Sequence, residues 1–444
     1  MRAEPWGYGC SGAYIRPGSV VAVVAEVSRV NMVLRRIFPN MFQGPESAVV
    51  ESRKASLYLL RCIFLMGIRT PPKRFFFVYI LWSCALNLSS TFYQPIGFVL
   101  GYISHLSEFT PSQLLTSLQV AFNAWACSTK VIIVWILIKR LDRANEMLDA
   151  LDKVVRLPSE RERVQRTVAL SNKIFFCYMS LYLTYASSTA FFAALMGVPS
   201  FQNYYPVLDW RASRFQFWLQ SGLEYFAMLG ACFQDVCVDC YPVNYILPLR
   251  AHMAIFAERL RQLGSDLEEK RQQRIDKLVE CIRHHKLLLS YCDNLRPLVG
   301  GTIFVQLMVV GLVMGFTLIN IAIFANFGSR IAAISFMCCI VLETTPFCTL
   351  CNYLADDCQM LADALFESNW IEQDERYKKI VLQFLQTLQK PIIFLAGNFF
   401  TISVATNLAA TKFSFSVFTL VKQMNIAEKL AKTTSSQYQE PVEI

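Results

Sequence analysis

Four ionisable residues stand inside otherwise apolar runs of this chain: Lys130, Glu224, Glu343 and Lys412. A charged side chain at the centre of a hydrocarbon layer costs on the order of 2.5–3.5 kcal/mol on insertion scales, so each must meet water, a ligand or an opposite charge. Glu224 could face a cavity or pair with another helix, and Lys130 and Glu343 could form a structural pair. The remaining reactive residues compose no reaction centre. The sequence offers no Ser-His-Asp grouping, no phosphate loop and no carboxylate pair in a plausible cleft, and Asp356-Asp357 follows an apolar run where helix capping or a salt bridge suffices. His284-His285 lies in a charged stretch without zinc-type spacing, where solvation or a hydrogen bond accounts for it. Most of the fifteen cysteines lie in or beside apolar runs and read as small polarizable packing residues. No catalysis, no cofactor and no metal is expected.

The elements that position these residues follow from composition. Hydrophobic residues make up 54% of the 444 positions and charged residues 17%, against about 45–50% and 25% in soluble domains. The apolar residues are gathered into seven runs long enough to span a bilayer: Phe75–Ile103, Leu114–Ile138, Ile174–Gly197, Phe215–Gln234, Thr302–Ala325, Ile331–Leu354 and Pro391–Val421. The fold class is therefore all-α, a polytopic membrane protein with seven transmembrane helices. The seventh run exceeds one span and holds Gly397, so a break is expected there. Val20–Val24 is too short for a signal-peptide core, so the first span must insert itself.

Basic residues set the sidedness. Segments 1–74, 139–173, 235–301 and 355–390 hold 34 Lys and Arg, whereas 104–113, 198–214, 326–330 and 422–444 hold 6. Basic loops favour the cytoplasm, which places the N terminus inside and the C terminus outside. The formal net charge of +9 is loaded on those inner segments, where anionic lipid attracts it, and no compact basic face points to nucleic acid. A rhodopsin-like receptor would have its N terminus outside, and its Asp-Arg-Tyr and Asn-Pro-x-x-Tyr marks are missing.

Two inner segments carry helical stripes: Met253, Phe256, Leu260, Leu263, Ile275, Leu278, Ile282 and Leu287, then Tyr377, Ile380, Phe384 and Leu388. Several such stripes below the bilayer suggest cytoplasmic anchor helices or a subunit interface. The longest outer loop, 198–214, is rich in Tyr, Trp and Pro, which fits a cavity cap and an interfacial aromatic belt equally.

The stretches "FTPSQLLTSLQVAFNAWACSTK" (109–130), "HHKLLLSYCDNLRPLVGGTIFVQLMVVGLVMGFTLINIAIFA" (284–325) and, above all, the region 351–430 resemble the insect odorant receptors, most of all those of flies. That last region carries an acidic pair, Ser-Asn-Trp, Tyr-Lys-Lys, Gln-Lys-Pro and Ala-Gly ahead of the final span. The similarity runs from about Met41 to Leu430, with Phe415-Ser416 where much of the family has Tyr-Ser. The resemblance implies an odorant-binding subunit of a non-selective cation channel, a tetramer with a shared co-receptor, in the plasma membrane of olfactory sensory neurons. A metabotropic seven-helix chemoreceptor is the alternative, and a solute carrier would show an internal repeat that is missing here.

The implied organisation is a disordered extension or mis-assigned start at 1–40, a cytoplasmic segment at 41–74, six helices with a ligand pocket at 75–354, an anchor helix at 355–390, a pore-lining helix at 391–421 and a short outer tail at 422–444. The resemblance places a small volatile ligand in the outer half among the second, third, fourth and sixth spans. There Phe122, Trp125, Ser188, Phe191, Phe192, Trp218, Tyr225, Phe336 and Met337 are the candidate contacts. Steps of three and four along the last span put Thr411, Ser414, Val417 or Phe418, and Val421 on one side. With Lys412 these are the candidate pore residues, Phe418 and Val421 forming the constriction by alignment.

Overall fold

The computed structural model describes residues 50–69, 73–105, 110–201, 203–265 and 270–423, apart from the side chains of His105 and Val421. The segment 1–40 and the tail beyond residue 423 lie outside the described residues. A 3-10 turn at Ser52–Ser56 leads into α1 (Leu57–Leu65). The first span is α2 (Phe76–Asn87) and α3 (Gln94–His105), joined through a π-helical turn at Leu88–Tyr93. Long helices follow: α4 (Pro111–Asp152), α5 (Pro158–Leu195), α6 (Arg214–Arg261), α7 (Arg271–Ile319, with a π turn at Asn320–Phe324) and α8 (Phe327–Phe366). Then come α9 (Glu375–Leu388), a hairpin of β1 (Leu395–Ala396) and β2 (Phe400–Thr401), and α10 (Val404–Gln423).

The ends of these helices are written in local sequence. Thr110 caps α4 by accepting the Gln113 N–H while Gln113 accepts the Thr110 N–H, and Pro111 fills the first turn, where its missing N–H costs nothing. Ser213 and Asn326 cap α6 and α8 in the same manner. At 1.5 Å per residue the 42 residues of α4 reach about 60 Å, twice the hydrocarbon thickness. The long helices therefore continue as a bundle below the membrane. Among the described residues, four helices are long and apolar enough to cross on their own: 73–104, α4, α7 with its π turn, and α8.

The inner bundle is the best-buried part. From Val236 to Leu249, fourteen consecutive residues of α6 are buried, surrounded by α4, α5, α7 and α8. The stripe expected on the inner helices faces this core: Met253, Phe256, Leu260, Leu263, Ile275 and Leu278 are buried, as are Tyr377, Phe384 and Leu388 of α9. His284 and His285 correct the sequence reading. They are not solvated but packed on Phe256, with ring centroids at 4.7 and 6.3 Å. Burial pushes the His284 imidazole down to about 3 and that of His285 to about 4. All fourteen described cysteines are free thiols.

The run from Pro391 breaks into a hairpin. Gly397 sits at φ 57° and Asn398 at φ 62°, and a Cβ at Gly397 would lie 2.6 Å from the Phe304 ring. The helix itself begins only at Val404 and packs chiefly on α7.

Candidate functional site: an outer cavity above a buried polar layer

A cavity of about 390 Å³ opens at the outer end of the bundle. Its walls come from the first turns of α4 (Pro111 to Gln119), the last turns of α5 (Tyr185 to Met196), the loop Val198–Phe201, and α8 (Ser329, Ala332, Ala333). The volume lies in the range of small-ligand sites, and the wall is apolar with a few hydroxyls and amides, Thr116, Gln119 and Thr189 among them. Among the described residues, no charged side chain lines it.

The lid over the cavity is held by Glu224. This carboxylate, 1% exposed, accepts the backbone N–H groups of Phe201 at 2.9 Å and Asn203 at 3.1 Å, and the Gln220 amide at 3.2 Å. Across the loop, Tyr93 donates its hydroxyl to the Tyr204 carbonyl at 2.5 Å. Glu224 is thus tied to the loop by backbone N–H donors, which suit a carboxylate acceptor.

Below the cavity lies a smaller void of about 20 Å³, lined in part by Asn123, Tyr182, Cys232, Asp235 and Phe336. Tyr185 lines both spaces. Beneath it five helices contribute to one polar layer. The Lys130 ammonium on α4, 1% exposed, donates to Asp239 Oδ1 on α6 and to Gln306 Oε1 on α7, each at 2.6 Å, and lies 3.5 Å from Asp235 Oδ1. Asn123 donates to Asp235 Oδ2 at 3.1 Å. Tyr182 on α5 sits between Asp239 and Glu343 of α8, and Gln306 donates its amide to Glu343.

One sequence expectation changes here. Lys130 and Glu343 are not paired directly; Gln306 stands between them and Lys130 takes its ion pairs from α6. The α6 helix runs on past the fourth apolar run and carries Asp235 and Asp239 within the buried bundle. Sequence reasoning missed both carboxylates. Their spacing of four, which puts them on one helix face, was the available signal.

The candidate ligand contacts scatter. Phe192 lines the outer cavity and Phe336 the smaller void, where its ring stacks 5.0 Å from that of Tyr185. Ser188 donates back to the Tyr185 carbonyl, Tyr225 meets Ser187 on the bundle surface, and Met337 is half-buried. Phe122, Trp125, Phe191 and Trp218 are all exposed on the surface of the single chain and line neither of these two cavities. Aromatics and the outer half of a span do not by themselves fix which face turns inward.

On α10, Thr411 and Lys412 are exposed and Phe418 is half-buried, but Ser414 is fully buried and donates to the Ala410 carbonyl. It lies on the face that packs against Gly311 and Gly315 of α7, where a Cβ would come within 2.8 Å of Phe413 and 3.3 Å of Val417. Ser414 and Val417 are therefore on the docking side of the helix, which corrects the expected stripe. Leu408, Lys412, Phe415 and Ser416 occupy the open side, and the side chain of Val421 lies outside the described residues. A Ser-His-Asp grouping does exist, contrary to the sequence reading. Ser52 Oγ lies 2.6 Å from Asp152 Oδ1 and 2.9 Å from His252 Nε2. Asp152 and Ser52 share the same imidazole nitrogen, and His252 is fully buried, so the trio is a latch rather than a nucleophile relay.

The sequence model of the family described as 7tm Odorant receptor matches residues 110–415. The chain belongs to the insect odorant receptor family. It is 63% identical over 402 residues to odorant receptor 42a of Drosophila melanogaster, covering 90% of this chain and 99% of that one. Odorant receptor 42b of the same fly is 41% identical, with 88% and 99% covered. The fold is similar to the insect olfactory receptor OR5 from Machilis hrabei at a TM-score of 0.72 and 14% identity, over 84% of this chain and 100% of that one. Its complex with eugenol gives 0.68 and 12%, over the same shares. Odorant receptors of this family are seven-span proteins with a cytoplasmic N terminus, so the outer cavity of this receptor faces the exterior and the histidine-bearing bundle the cytoplasm. The family is one of multi-pass membrane receptors rather than enzymes.

Proposed function

We propose that this receptor binds a small neutral volatile in the outer cavity and, with a co-receptor, gates a non-selective cation channel in the plasma membrane of olfactory sensory neurons. The observation that carries the ligand half is the cavity itself: about 390 Å³, mostly apolar, with no charged side chain among its described lining residues, and roofed by a loop pinned to Glu224. Such a wall favours a compact apolar molecule, and Tyr185 and Thr189 supply hydroxyls to orient it. Phe192, which lines that cavity, is the proposed aromatic contact among the candidates named from the sequence.

The channel half is supported by α10. One of its faces docks on α7 and the other is open, with Thr411, Lys412, Ser416 and Thr419 interleaved with Leu408 and Phe415. Copies of that face around a shared axis would offer hydroxyls to hydrated ions and apolar rings to close the path by dewetting, Phe418 and Val421 near its outer end. The exposed apolar residues of α9 and its flanks, Phe366, Ile371 and Leu382, suit a subunit contact below the membrane.

Co-expression with an insect odorant co-receptor, followed by a panel of volatiles, tests the proposal. Odorant-evoked cation current in excised patches is expected. Currents that need a G protein and vanish when nucleotides are withdrawn would instead favour a metabotropic mechanism.

A further inference from the structure

The polar layer holds one ammonium, Lys130, and three carboxylates, Asp235, Asp239 and Glu343, all nine-tenths or more buried. Lys130 makes its ion pairs with Asp239 and Asp235 and none with Glu343 among the described residues. Glu343 is left with the Gln306 amide on one oxygen and the Tyr182 hydroxyl on the other.

That hydroxyl is the deciding group. Tyr182 Oη lies 2.9 Å from Asp239 Oδ2 and 3.3 Å from Glu343 Oε1, yet a phenol has a single hydrogen to give. With both carboxylates ionised, one of the two contacts would set lone pairs against lone pairs in a low-dielectric interior. Asp239 already holds Lys130 at 2.6 Å, so the shorter Tyr182 contact, to an ionised Asp239, takes the phenol hydrogen. The other contact closes only when Glu343 supplies a hydrogen of its own.

We propose that Glu343 is a proton-binding site: it is held as the neutral acid and donates to the Tyr182 oxygen, while Tyr182 donates to Asp239 and Asp239 is the ionised partner of Lys130. The groups facing Glu343 accord with this. The α4 helix presents Lys130; α5 presents Tyr182, and Tyr178, whose hydroxyl is spent on the Leu342 carbonyl at 2.6 Å; α6 presents Asp235 and Asp239; and α7 presents the uncharged Gln306. A third carboxylate charge, added to Asp235 and Asp239, would find no further cation among the described residues to offset it. In the neutral form α8 is tied to α5 and α7 by hydrogen bonds that part and re-form without separating charge. The same helix carries the cavity wall at Ala333 and Phe336.

Glutamine copies the shape and hydrogen-bonding of the neutral acid, which makes Glu343→Gln and Asp239→Asn opposite tests. The full-length receptor, purified in lipid nanodiscs, should show an infrared carboxylic-acid C=O stretch that disappears in Glu343→Gln. Folded yield of Glu343→Gln should stay within about twofold of the parent, while Asp239→Asn, which uncouples Lys130, loses about tenfold or more. An acid band that persists in Glu343→Gln, or is missing from the parent, would overturn the assignment, as would a Glu343→Gln yield as low as that of Asp239→Asn. None of these readouts needs an odorant or a co-receptor, so they stand apart from the test of channel function.

Discussion

Glu224 of α6 accepts the backbone N–H of Phe201 at 2.9 Å, and through that bond a carboxylate buried in the outer membrane half fixes the roof of the cavity. Truncation to alanine would leave the Phe201 and Asn203 N–H groups buried without an acceptor, at about 1–3 kcal/mol each. Glu224→Ala should therefore raise the odorant concentration for half-maximal current about tenfold and speed the decay of the response on washout, with Glu224→Gln in between. Concentration–response curves in the co-expressed receptor check this, and an alanine variant with parental kinetics would contradict it.

Lys130 is the only cation holding Asp235 and Asp239 among the described residues. Lys130→Met leaves both carboxylates buried without their cation and should destabilise the bundle by about 3–5 kcal/mol. Pairing it with Asp239→Leu should recover part of the loss, because an apolar replacement of both partners removes the desolvation cost along with the attraction. Surface expression of the single and double variants measures the difference.

Stability in the cytoplasmic bundle should fall with acid. Burial first, then neighbouring positive groups, lowers the His284 pKa from 6.5 to about 3, and burial lowers that of His285 to about 4. Between pH 6.5 and about 4 the unfolded chain takes up protons that the folded chain refuses, so stability is full above that window and is lost as pH drops through it. Glu160 adds a second loss at lower pH. Burial alone would raise its pKa, but N–H donors from Arg156 and Leu157, then the Arg259 guanidinium, hold it below the ordinary value. Its contribution is present above the ordinary carboxylate range and fades as pH falls through the depressed value. Thermal unfolding of the purified receptor across this range should show the decline, and His284→Leu should flatten the upper part.

Gly311 lets α10 lie against α7, since a Cβ there would stand 2.8 Å from the Phe413 ring. Gly311→Ala asks only that the ring swing aside. Gly311→Val pushes the helices apart and should abolish most odorant-evoked current while surface expression stays near parental. Equal currents in the two variants would show that this contact does not govern the pore.

Seven spans and their sidedness were legible because lipid imposes length and basic loops impose orientation, both local properties of the chain. Facing was not. Ser414 was assigned to the open side of α10 from a step of three along the helix, whereas Gly311 and Gly315, one turn apart on α7, mark the side on which the helix docks. Asp235 and Asp239 were hidden for a related reason. An acidic residue just past an apolar run looks like a solvated flank until the bundle is seen to continue below the bilayer. Rings such as Phe191 and Trp218 suit lipid as well as an odorant, so type and depth could not separate the two settings.

The contact of Ser52 with His252 joins positions 200 residues apart, and it closes on Asp152 of α4 as well. A ribosome adding about 5–20 residues per second makes that interval roughly 10–40 seconds. During that time the Ser52 turn has been made but its seat on α6 has not. The Ser52 turn can therefore complete its contacts only after the first four spans have been made, so the two ends of this latch are tied by the order of synthesis as well as by geometry.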